Sequence, residues 1–127
     1  MKVRFLKWAC ETRWSHYSET GENSIVLVDE ATGEPIVKAT VALYPPNRRS
    51  RHDEVWLKGW AENDGLPEAL QAAGVVKLTG ETGNYGHCVA VIGILSADAA
   101  RELALTYEAD PNMAAAREAA LRRAPAA

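Results

Sequence analysis

The chain has 127 residues, enough for a single domain to bury a hydrophobic core without disulfide or metal staples. Hydrophobic residues make up 47% and charged residues 24%, a balance that excludes disorder along the whole length. The formal net charge of −3 lacks the basic excess of a general nucleic-acid binder and leaves room only for local basic patches.

Met1-Lys2-Val3-Arg4-Phe5-Leu6-Lys7-Trp8 is basic but has no long apolar run behind it, so no signal peptide is expected. No stretch approaches the roughly 18 apolar residues of a membrane span. The expected compartment is the cytoplasm. From residue 8 to 18, Trp8, Cys10, Thr12, Trp14 and His16 alternate with Ala9, Glu11, Arg13, Ser15 and Tyr17, which predicts a strand with Trp8, Cys10 and Trp14 facing the core. The turn residues 19–23 lead to a short apolar strand over 24–29, and residues 30–35 form a second turn before a strand over 36–44. Pro45-Pro46 stops the sheet, because proline has no N–H to donate. A fourth strand follows over 54–58. A short helix near 65–73 takes Asn63 or Asp64 as its cap, Pro67 in its first turn and Gly74 at its end. Strands over 75–79 and 87–95 flank a Gly-rich turn, Gly80–Gly86. Ser96 caps a helix over about 97–108, Pro111 breaks it, and residues 112–123 favour a last, alanine-rich helix. The expected fold class is α+β, an antiparallel sheet of five to six strands with two or three helices, the last ones C-terminal. Residues 1–110 form a single α+β domain and 111–127 an Ala-rich helical or frayed tail.

The chemistry-bearing residues do not gather into a known motif. Cys10 and Cys88 have no CxxC partner and read as free, buried thiols. Among the histidines, His16, His52 and His87, there is no HxxxH spacing, and Cys10 and His16 on one strand face lie about 20 Å apart. Nothing local lowers the Cys88 thiol pKa, and GxSxG is absent. Asp29-Glu30 and Asp53-Glu54 sit at strand ends, where solvated carboxylates are the rule. The loop from Thr79 to Gly86 runs into a strand instead of a helix N-terminus, and Glu81 would repel phosphate, so it reads as a hairpin turn. No catalytic residue, metal ligand or cofactor is expected.

Charge singles out two surfaces. Arg48, Arg49, Arg51 and His52 lie close to Trp56 and Trp60, a combination that suits an acidic protein surface, or a phosphate backbone with stacked bases, or a plain solvated loop. Glu19, Glu22, Asp29, Glu30 and Glu34 fall on hairpin tips and suit a basic partner, or are solvated turn residues.

Several short stretches, taken together, resemble a known family. These are Lys7-Trp8-Ala9-Cys10-Glu11, Val28-Asp29, Gly33-Glu34-Pro35-Ile36, Ala39-Thr40-Val41, Glu54-Val55 with Lys58, Glu62-Asn63 with Gly65, Ala69-Leu70, Ala73-Gly74-Val75-Val76, Thr79-Gly80 and Tyr85-Gly86. They resemble a family of small domain proteins carried on bacterial plasmids, integrative elements and phages. The resemblance spans roughly residues 7–95, rests on turn, core and cap residues, and brings no catalytic residues with it. The Arg-rich stretch near 47–52 and the tail after 96 depart from it. It implies a setting in which small acidic proteins bind a host defence or replication protein, as anti-CRISPR and anti-restriction inhibitors do. The function expected on that basis is a non-enzymatic protein-binding protein in the bacterial cytoplasm, with a host protein such as a defence nuclease or CRISPR effector as partner. One alternative is a small-ligand or nucleotide-binding protein, a sponge for a defence signal, which a pocket lined by tryptophan and arginine would favour. Another is a nucleic-acid-binding accessory protein acting through the Arg loop.

Overall fold

The structure, a computed structural model, describes residues 1–43 and 47–123. Strands β1 (Lys2–Phe5), β2 (Trp8–His16), β3 (Asn23–Asp29) and β4 (Pro35–Lys38) form an antiparallel sheet in that order. Strands β5 (Glu54–Leu57), β6 (Val76–Tyr85) and β7 (Cys88–Leu95) form a second antiparallel sheet with β7 in the middle. Helix α1 covers Leu66–Ala72, preceded by a 3₁₀ turn over Ala61–Asn63, and helices α2 (Ala97–Ala109) and α3 (Pro111–Arg123) close the chain. The class is therefore α+β, but with seven strands in two sheets among the described residues, where one sheet of five to six was expected.

The difference begins at the N-terminus. In β1, Val3 and Phe5 are buried while Lys2 and Arg4 are exposed, the same period of two that identifies β2, but over only four residues. A second difference is the strand expected over 36–44. Its first part pairs with β3, and its continuation leaves for the other sheet. Ala39 N still donates to Ile25 O at 2.9 Å, whereas Val41 N donates to Trp56 O at 3.0 Å and Lys58 N to Ala39 O at 2.9 Å. Thr40 bridges Leu57 between them. Residues 39–41 thus stitch the two sheets together. The expected stop at Pro45-Pro46 lies outside the described residues.

A third difference concerns the Gly-rich stretch. Most of it is not a turn but the second half of β6. Register passes from Leu78 opposite Gly93 to Thr82 opposite Val91, so Thr79, Gly80 and Glu81 face Ile92 alone and form a bulge. Gly80 supplies the left-handed backbone there, at φ +83°. The actual hairpin loop is Gly86-His87, two residues between Tyr85 and Cys88. Gly83 has a separate reason to be glycine: a Cβ would lie 2.7 Å from Leu43 Cδ1 and 2.8 Å from Trp56 Cη2.

One core joins the sheets and helices. Val3, Phe5, Cys10, Trp14, Ile25 and Leu27 of the first sheet pack with Val55, Leu57, Val76 and Leu95 of the second, Leu66 and Leu70 of α1, and Ala99 and Leu103 of α2. A smaller cluster of Leu43, Trp56, Ala90 and Ile92 covers the other face of the second sheet. The N-terminus of α1 is set by Gly65 in the left-handed region and has no side-chain cap, in place of the expected Asn63 or Asp64. Asn63 is committed elsewhere: its Nδ2 donates to Lys38 O at 2.8 Å. Gly74 ends α1 as expected, with Gly74 N donating to Gln71 O and Val75 N to Leu70 O. Ser96 caps α2 by accepting from Ala99 N at 3.1 Å. Helix α3 lies against the β2–β3 turn, where Arg117 donates to Asn23 Oδ1 at 2.8 Å and Leu121 packs over Gly21. No helix among the described residues is long and apolar enough to cross a membrane.

Candidate functional site

The Arg loop is held from within. Arg48 donates to both oxygens of Glu54, at 2.8 and 2.9 Å, and to both oxygens of Glu81, at 2.8 Å each. These carboxylates raise the arginine's pKa further above its ordinary range, and the same contacts hold Glu54 and Glu81 below theirs. Arg51 is exposed, but its backbone N–H donates to Glu54 Oε1, and the exposed His52 accepts from Asn23 Nδ2 through its carbonyl. Arg49 is half-buried. Trp56, weighed with Trp60 as a surface anchor, is only 1% exposed, and its Nε1 donates to Arg48 O at 3.1 Å. The expected basic, aromatic binding loop is thus a strap across the second sheet, with Arg48 and Trp56 spent on holding it there.

The acidic set is divided. Glu22 is 5% exposed and accepts from Ser50 N and Ser50 Oγ, both at 2.7 Å, so it anchors the strap and presents no charge at a hairpin tip. Glu19, Glu30 and Glu34 are exposed. Glu19 lies in the turn before β3, whereas Glu30 and Glu34 lie in the turn after it, roughly 20 Å away along the strand. Glu30 pairs with Lys2 at 3.0 Å. These residues do not make one surface.

Of the expected binding residues, Glu30 borders a groove beside α1, and Trp60 borders a second cleft. This second cleft sits at the seam between the sheets and has a volume of about 420 Å³. Tyr17, just past β2, Lys38 at the end of β4, and Thr40 in the stitching segment line it from the first sheet. Lys58, Trp60 and Glu62, following β5, and Tyr85 at the end of β6 line it from the second. Trp60 and Tyr85 stack with ring centroids 5.7 Å apart and an interplanar angle of 29°. Lys38 Nζ lies 4.6 Å from the centre of the Tyr17 ring, and Lys58 Nζ lies 5.8 Å from that of Trp60. Lys58 also pairs with Glu62 at 2.7 Å, whereas Lys38 is exposed and has no carboxylate partner among the described residues. Ala61, between Trp60 and Glu62, holds the left-handed backbone at φ +54°, a conformation an alanine adopts at a cost.

This arrangement offers flat π surfaces and ammonium groups. Tyr17, a phenol at the cleft wall, shares a 3.1 Å hydrogen bond with the Thr40 hydroxyl, and burial pushes its pKa up, away from service as a base near neutrality. The three histidines are dispersed: His16 lies against Tyr107, His52 in the strap and His87 in the β6–β7 turn. Among the described residues, no three His, Cys, Asp or Glu side chains are placed to hold a metal. Cys10 is buried and free, and Cys88 is free and only half-buried. The sequence reading missed Tyr17, Lys38, Lys58 and Tyr85 as a set. The one available signal was that Lys58, Glu62 and Asn63, which help carry the resemblance, cluster within six residues around Trp60. Set against known protein families, curated proteins and solved structures, the chain matches none.

Proposed function

We propose that this chain is a binding protein of a mobile genetic element whose working surface is the seam cleft, where it captures a small anionic molecule with a flat π face. One observation carries this reading: stacked Trp60 and Tyr85 share a cleft with Lys38, an exposed ammonium without a carboxylate partner among the described residues. Aromatic walls favour a planar group, the ammonium favours an anion, and about 420 Å³ falls in the roughly 300–1,000 Å³ range of small-molecule sites. In the setting implied by the family resemblance, the captured molecule is a signal of the host's defence, and its capture silences that signal. A thermal-shift screen of aromatic carboxylates, sulfonates, phosphates and nucleotides tests the reading. At least one class raises the unfolding midpoint in a concentration-dependent way; a flat response across all of them refutes capture.

A second reading, contact with a host defence protein, is favoured by a different observation. Val89 on the β6–β7 hairpin is 54% exposed, an apolar side chain near the hairpin tip on the face opposite Tyr85. Co-elution with a defence nuclease or CRISPR effector, abolished by Val89→Glu, supports it; no co-elution from any of those complexes removes it. Nucleic-acid binding through the Arg loop loses ground because Arg48 already spends its charge on Glu54 and Glu81.

A further inference from the structure

We infer that the seam cleft is built for a nucleoside 5′-monophosphate, with the base on the Trp60–Tyr85 platform and the phosphate at Lys38; this rests on the capture reading above. The two halves of such a ligand match the two sides of the cleft. The second sheet contributes the stacked rings, 5.7 Å apart, which offer a base a π surface independent of its identity. The first sheet contributes Lys38, whose ammonium is already placed at 4.6 Å over Tyr17 and has, among the described residues, no carboxylate to release before it meets an anion. An inorganic phosphate would leave the aromatic platform unused, and a neutral nucleoside would leave Lys38 unused.

Charge limits the length of the phosphate chain. Lys58 pairs with Glu62 at 2.7 Å, so among the described residues the cleft presents one cation without a carboxylate partner, Lys38. A monophosphate satisfies it. The further phosphates of a triphosphate would approach the Glu62 carboxylate, which repels them. Ala61, left-handed at φ +54°, makes the turn that carries Trp60 and Glu62 to the same cleft.

The test is isothermal titration of the full chain with adenosine and guanosine 5′-monophosphates, adenosine 5′-triphosphate, adenosine, inorganic phosphate and naphthalene-2-sulfonate. Saturable binding of the monophosphates is expected, weaker by about tenfold or more for the triphosphate, the nucleoside and the phosphate ion. Trp60→Ala and Lys38→Glu each weaken monophosphate binding by about tenfold, while an unchanged circular dichroism spectrum shows both variants to be folded. Binding of the sulfonate with no binding of the monophosphates overturns the nucleotide inference and leaves capture standing. Equal binding of phosphate ion and monophosphate would show the aromatic platform unused, which overturns the nucleotide inference and the flat π face of the capture reading together. Absence of binding by every compound overturns both.

Discussion

Glu54 is 6% exposed, and both of its oxygens are taken by Arg48. Removing the guanidinium leaves a carboxylate nearly dry and short of its main partner, the costly half of any buried ion pair. Arg48→Ala is therefore expected to lower stability by about 2 kcal/mol in urea denaturation, and the double variant Arg48→Met, Glu54→Leu to recover most of that loss. A surface role for Arg48 predicts almost no change in either variant. Nothing in the linear order of residues announces this role. Glu81 is 33 positions away, and only the β5-β7-β6 order brings it to the strap. Trp56, weighed as a surface anchor, lies instead in the run Glu54-Val55-Trp56-Leu57, which is buried throughout.

The elements themselves were readable wherever pattern or cap chemistry was strong. The alternation of β2, the Ser96 cap of α2 and the Gly74 stop of α1 all follow from residue order alone. The four residues of β1 were too few for periodicity to register. The bulge in β6 looks like a turn because bulges and turns use the same residues. The contact of the two C-terminal helices with the first sheet was invisible because it depends on tertiary pairing. There, His16 Nδ1 lies 2.9 Å from Tyr107 Oη, and Arg117 stacks over the Tyr107 ring at 4.9 Å. Burial, and then the Arg117 charge, pushes the His16 pKa below its ordinary value of 6.5. The folded protein thus resists protonation more than the unfolded chain does. Above pH 6.5 both are neutral and nothing is lost; below it the unfolded chain binds the proton first, and stability falls until the folded pKa is passed. Denaturation midpoints measured from about pH 7 down to about pH 5 should fall in the parent and fall less in His16→Gln. Identical slopes would show that His16 does not couple the helices to pH. Glu54 and Glu102, whose pKa values are lowered, act in a separate window beneath 4.5.

Across the whole molecule, the two sheets share the main core and one seam, to which the second sheet adds the small cluster of Leu43, Trp56, Ala90 and Ile92. Unfolding is expected to be a single cooperative transition. The seam amides of Val41 and Lys58 should exchange with solvent only through that global event, at the free energy found by denaturation. Faster exchange at those two positions would show that the sheets open independently. The cleft owes its existence to the seam. Its walls come from segments between residues 17 and 85, none of which carries a recognisable motif. A site assembled in this way is legible only once the topology is known, whereas the Arg loop drew attention because its charges are contiguous.

The bulge of β6 also protects a sheet border. With the seam closed, β1 and β6 are the outer borders of the described sheets, and the outer edge of β6 meets side chains in place of a strand, Asn47 at Asn84 and Gln71 at Leu78. The chain guards β1 with Lys2 and Arg4, and β6 with Lys77, Glu81 and the kink at Thr79–Glu81. A chain from which Gly80 and Glu81 were excised would carry a straighter, less charged β6, an open template for the strand of a neighbour. Light scattering should then reveal growing polymers where the parent protein keeps a constant size.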